Sequence, residues 1–301
     1  MTRSIFGLVS LLFLVGGLFL GGRLIQLAKT YKLEKETFTT SQNYQNRLLD
    51  FDQWLPDGGG DEIREKEKRA KAKMLVWQVK ADRFSSFLIA LLIAYGLFLL
   101  VFGRLQDNFR LAMGGLLLMA LVCLGVGLFA PILEIAAFEK DLSIPVKVKT
   151  DFLSLDIDYT AKFDGEMYFY YQSKSIVELI GLLFKQGNLV VGISILVFSL
   201  LFPLGKTLFT LLALLRPALM NNKLFSFFIF KTSKWSMADV FVAAIFLSFL
   251  AFNNMQTGIR TDSNVLWGLY YFLAYCILAI SSATLLQKRG ILNPNSLQPI
   301  T

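Results

Sequence analysis

LVVGISILVFSLLFPLGKTLFTLLALL, residues 189–215, carries a single charge, Lys206, and no polar stretch interrupts it. At about 1.5 Å of helical rise per residue the run is longer than a hydrocarbon core of about 30 Å is thick, so it reads as a transmembrane helix. Five further runs share its character: Ile5–Gly22, Phe84–Phe102, Leu111–Ile135, Val240–Phe252 (extended at its start by Trp235–Asp239) and Val265–Leu286. Hydropathy therefore predicts an α-helical integral membrane protein of about six spans.

Composition agrees. Of 301 residues 55% are hydrophobic, 28 are Phe and only 17% are charged, an apolar content above the globular norm of about 45–50%. There is no histidine, and Cys123 and Cys276 both lie inside apolar runs. That removes imidazole acid–base catalysis, histidine metal sites and any zinc ribbon, and leaves the cysteines as small packing residues. The net charge of +8 sits beside the apolar runs, where anionic headgroups and the positive-inside rule account for it without nucleic acid. No nucleophile–base set, nucleotide loop or metal cluster is visible, so neither an enzyme nor a cofactor is expected.

Outward from the spans, the chain divides into unlike parts. Residues 1–24 read as a signal anchor, because the apolar run follows Arg3, ends in Gly21-Gly22-Arg23 and is followed by no A-x-A site. Gly17 and Gly21 form a GxxxG packing signal. Residues 25–83 read as a polar, partly helical extracytoplasmic stalk, broken at Trp54-Leu55-Pro56-Asp57 and Gly58-Gly59-Gly60. In its second half the pairs Glu62/Lys66, Glu65/Arg69 and Glu67/Lys71 stand at i,i+4 with the acid first, which predicts a solvated helix that can run unbroken into the span at 84–103. Residues 111–288 form a four-span module with a β-insert at 136–186, and 289–301 are a tail.

Within the insert, Leu153, Leu155, Ile157 and Tyr159 alternate with Ser154, Asp156, Asp158 and Thr160, a period of two and hence a strand. Asp164-Gly165 predicts a hairpin turn into an aromatic strand, Met167–Tyr171. Pro145, Val146 and Val148 suggest one more strand, and Ser175–Phe184 an amphipathic surface helix. The result is a small antiparallel β-sheet between two spans. Basic loops at Arg104/Arg110 and Arg216/Lys223/Lys231/Lys234 orient the chain with the sheet outside and both termini cytoplasmic.

The candidate working residues are few. Lys206 lies about ten residues, roughly 15 Å of helix, before Arg216, and a charge at such depth is a functional hypothesis by default. Asp239 begins the next span and can pair with it across antiparallel helices, for gating or proton coupling. Ser236 is placed to cap that helix, Trp235 to anchor at the interface, and Pro203 to kink its span and free a carbonyl. Tyr168 and Tyr170 offer a partner-facing aromatic surface, and Glu134 reads as solvated at the membrane edge.

Several of these residues stand in stretches that resemble one membrane module of the paraquat-inducible protein A family. They are Ala130-Pro131-Ile132-Leu133, Leu201-Phe202-Pro203-Leu204-Gly205-Lys206, Leu269-Tyr270-Tyr271-Phe272-Leu273 and, most specifically, Lys234-Trp235-Ser236-Met237-Ala238-Asp239-Val240-Phe241. The resemblance implies four helices with a sheet inserted after the first, in a claudin- or tetraspanin-like arrangement. It also implies a component of phospholipid transport at a bacterial inner membrane, acting with mammalian-cell-entry-type (MCE) partners. Better-known members carry two modules, each behind a CxxC zinc ribbon; this chain has one module and no ribbon. A non-transporting adaptor that docks an envelope complex through the stalk and sheet is the alternative expectation.

Overall fold

The computed structural model describes residues 2–50, 60–104, 108–150, 155–216, 244, 245, 248 and 260–288. Among these, five helical stretches are long and apolar enough to cross a membrane: Ser4–Ser41, Glu62–Arg104, Phe109–Phe129, Leu189–Leu215 and Trp267–Lys288. The span expected at 240–252 lies outside the described residues, apart from helical positions 244, 245 and 248. A three-stranded antiparallel sheet accompanies them, so the helical membrane architecture with a small sheet stands.

The N-terminal region is a pair of long helices. α1 (Thr2–Ser41) runs on past the apolar run, and the short α2 (Tyr44–Leu48) follows it; α3 (Gly60–Arg104) carries its charged half into its apolar half without a break. The i,i+4 acid–base pairs of α3 close at 2.5–2.7 Å. Antiparallel α1 and α3 interlock through Phe13 stacked on Tyr95 at 3.9 Å, Phe6 on Phe102 at 4.9 Å, a Ser10–Tyr95 hydroxyl pair at 2.9 Å and a Lys73–Glu34 ion pair at 2.7 Å. A buried hydroxyl in hydrocarbon needs such a partner, since no water can supply one.

α4 (Phe109–Phe129) is the central helix, with about half of its residues buried. α1 crosses it at the GxxxG, where a Cβ on Gly17 or Gly21 would come within 3.2 and 2.9 Å of Val122 and Val126. On another face it meets α8 (Trp267–Lys288) so closely that a Cβ on Gly127 would lie 2.7 Å from the Phe272 backbone nitrogen. Small residues let such backbones approach, which is what drives helix association in lipid.

β1 (Leu133–Thr150) pairs with β2 (Leu155–Lys174) on one side and β3 (Arg260–Val265) on the other. Here the expectation is corrected: Asp164-Gly165 is not a hairpin turn, because β2 runs straight through it and its pairing with β1 continues to Thr150 opposite Leu155. The two residues instead form a bulge opposite Asp141. Gly165 has φ +86° and donates its N–H to Asp141 Oδ1 at 2.9 Å. A positive-φ glycine signals a turn or a bulge equally, and only pairing partners distinguish them. β3 was not expected at all, since Arg-Thr-Asp-Ser-Asn-Val has no apolar alternation; β1 supplies its partner.

α5 (Ile176–Lys185) follows β2 behind a capping box of Ser175 and Glu178. The next span is composite: α6 (Leu189–Ile195), a π-helical stretch Leu196–Leu201, and α7 (Phe202–Leu215). The Phe202 N–H bonds Val197 O, five residues back. Pro203 follows directly, so the residue lacking an N–H falls where the hydrogen-bond ladder has already shifted.

Candidate functional site

Three polar or apolar centres link these elements. The first sits where α1 meets the sheet. Lys35 Nζ reaches Glu134 Oε1 at 2.6 Å and Tyr31 OH at 3.3 Å; Tyr171 OH donates to Glu134 Oε2 at 3.3 Å and Asn264 Nδ2 to Oε1 at 3.1 Å. Glu134 is 3% exposed. Far from being solvated at an edge, it is the buried hub joining α1 to all three strands. Burial and the Glu134 charge push the Tyr171 phenol well above its ordinary pKa, so it remains a donor. One turn earlier on α1, Lys32 Nζ meets Glu178 at 2.5 Å, tying α1 to the cap of α5.

Burial pushes the Glu178 carboxyl up, but the Lys32 hydrogen bond, the Ser175 N–H and the charges of Lys32 and Lys174 outweigh it and hold the group below its ordinary value of 4.5. A depressed folded pKa contributes stability above the unfolded value that is lost as pH falls through the folded one. Acidification to about pH 3 should therefore lower the protection of amides in the first turn of α5, taken relative to the intrinsic exchange rate at each pH, and Glu178→Gln should flatten that dependence. Equal protection at neutral and acid pH in the parent protein would contradict the assignment.

A second charged cluster fastens α3 to β2. Arg64 Nη2 meets Asp164 Oδ1 at 2.8 Å, Lys71 Nζ meets Glu166 at 2.7 Å, and Tyr168 OH donates to Glu166 at 2.8 Å. Gly165 lies under α3, where a Cβ would come within 2.7 Å of Glu67 Oε2. Arg47, the buried residue of α2, donates to Asp164 O at 2.8 Å. The polar halves of α1 and α3 are thus clamped onto the sheet.

The predicted aromatic surface divides. Tyr168 is 6% exposed and Tyr170 49%, although residues two apart share a face in a regular strand. Phe169 is the reason: Ala137 pairs with Tyr170 and Phe138 with Tyr168, so Phe169 is an extra residue that turns its neighbours to opposite faces. Tyr168 packs on Phe38 and Phe138, which leaves Tyr170 as the half of the pair open to a partner.

Pro203 is buried in α7, and its carbonyl accepts from Thr207 Oγ1 at 2.8 Å and Tyr275 OH at 3.0 Å. Lys206 is half-buried three residues on, and its carbonyl accepts from Thr210 Oγ1 at 2.7 Å. Asp239, Ser236 and Trp235 lie outside the described residues.

The third centre is apolar. A cleft of about 540 Å³ opens between α3 and α8 over α4, walled by Ile89, Ile93, Leu97, Leu100, Ala274 and Ile277 among others, with Cys123 and Met119 at its floor. That volume falls within the range of small-molecule sites, roughly 300–1,000 Å³. Along α3 it extends from Ser85 to Leu100, about 22 Å at 1.5 Å per residue, more than the roughly 15 Å of hydrocarbon in one leaflet. Gly96 lines it, and a Cβ there would touch nothing within 4 Å. Its polar groups gather at the sheet end, where Ser85 and Tyr271 share a 3.0 Å hydrogen bond and Trp267 Nε1 donates to Asp82 Oδ1 at 2.8 Å. Sequence reading missed the cleft because its walls come from segments almost two hundred residues apart. A second, smaller cleft of about 380 Å³ lies between the sheet, α5 and residues 244, 245 and 248.

Residues 165–293 match the family model described as paraquat-inducible protein A. The match begins inside β2 and takes in α5–α7, β3 and α8, so the chain is similar to that family over its second half, as a membrane-associated envelope protein. The long pair α1 and α3, and with it one wall of the cleft, lies outside the matched stretch. No curated protein and no solved structure matches the chain.

Proposed function

We propose that this protein is a non-catalytic membrane component of a phospholipid-transport system in a bacterial inner membrane. In this reading both termini are cytoplasmic, and lipid passes to or from an MCE-type envelope partner. The observation that carries the reading is the α3–α8 cleft: apolar along its length, polar only at one end, and as long as an acyl chain requires. The family match supports the same class of protein.

Purification in mild detergent followed by native mass spectrometry tests it. The parent protein should retain phospholipid, and Gly96→Trp, which fills open space rather than displacing a neighbour, should lose most of it while remaining folded. Undiminished lipid in Gly96→Trp would remove the cleft from the pathway. In a vesicle transfer assay, Lys206→Ala and Asp239→Ala should each reduce transport and the double variant no further; two silent single variants would end the idea that these groups work as a pair. The projecting platform of sheet and polar helix halves favours the adaptor as second reading, and a lipid-free protein holding a stoichiometric envelope partner would establish it.

A further inference from the structure

We infer that the cleft selects its lipid by headgroup and takes an aminophospholipid, with the ammonium at Asp82. This deepens the transport reading and rests on it. The argument begins with height. α1 and α3 are antiparallel and in register, with Ser10 beside Tyr95 and Glu34 beside Lys73, which places Arg23 level with Arg83. Below this level both helices are apolar; above it they are charged. Asp82 therefore stands at the depth of lipid headgroups, one turn above Ser85 at the end of the cleft.

Asp82 is also on the correct face. Ser85, Ile89, Leu92 and Gly96 line the cleft at i, i+4, i+7 and i+11, and Asp82, three residues before Ser85, continues that stripe. One of its oxygens receives the Trp267 indole N–H, while the residue as a whole remains exposed. Trp267, Tyr270 and Tyr271 wall the same end. A carboxylate beside aromatic rings is the chemistry that recognises an ammonium group. An anionic lipid without an amine would instead bring its headgroup against the Asp82 charge.

The test uses the full chain, delipidated in detergent and offered phosphatidylethanolamine or phosphatidylglycerol of identical acyl composition, with bound lipid counted by native mass spectrometry. The expected preference for phosphatidylethanolamine is about fivefold, the worth of one exposed charge contact of about 1 kcal/mol. Asp82→Asn, which keeps an acceptor for Trp267, should abolish the preference without abolishing binding, and Asp82→Lys should invert it. Equal binding of both lipids by the parent protein, or a preference unchanged in Asp82→Asn, overturns the inference. Gly96→Trp separates the two levels: if it removes both lipids while selectivity is flat, only the headgroup assignment fails; if it removes neither, the cleft itself is at fault.

Discussion

Glu134→Ala should lower the stability of the folded protein by about 3–5 kcal/mol, the cost of leaving a buried cation without its counter-charge. Glu134 is 3% exposed and its carboxylate receives Lys35, Tyr171 and Asn264, so the substitution strands donors on α1, β2 and β3 together. Equilibrium unfolding in mixed micelles would read the loss, and limited proteolysis of the α1–α3 pair would locate it. Lys35→Met with Glu134→Leu should recover much of the stability, because two apolar side chains replace a pair whose desolvation was costly. A double variant as unstable as Glu134→Ala would mean that Lys35 and Glu134 are held by unrelated contacts.

Gly268→Leu should be nearly as damaging. A Cβ at this position would stand 2.4 Å from the Ala130 carbonyl oxygen and 2.7 Å from that of Pro131, and the Gly268 N–H itself bonds Pro131 O at 2.9 Å. Backbone cannot yield as a side-chain tip can, so α8 must move away from α4 and β1, at a cost near the upper end of about 1–3 kcal/mol for overpacking. Gly22→Leu, on the same scale of volume but facing open space, is the control and should be silent. The comparison is a thermal melt in detergent for both variants, and equal melting temperatures would refute the close crossing.

These two sites mark where the sequence was legible and where it was not. The spans, the salt-bridged half of α3, the capped α5 and the packing glycines of α1 follow from local periodicity, which a single stretch of chain carries by itself. Glu134 could not be read correctly, because a carboxylate five residues beyond a span is solvated or buried according to what arrives from elsewhere, and here α1 arrives. Polar composition at 25–41 concealed helix for a related reason: Ala28, Tyr31 and Phe38 are buried against segments distant in sequence. Tyr168 and Tyr170 part company through one extra residue in a strand, a difference set by pairing register. The apolar cleft is a property of two neighbouring helices and belongs to neither alone.

The hub at Glu134 also sets a timetable for biosynthesis. Lys35 is made 99 residues before Glu134, and Glu134 130 residues before Asn264. At synthesis rates of about 5–20 residues per second, the lysine waits roughly 5–20 s for its carboxylate and the carboxylate longer still for its amide. Until then the first helix carries an uncompensated charge on a face destined for burial. The N-terminal helix thus completes its ion pair only after a strand encoded about a hundred residues later has been made and docked.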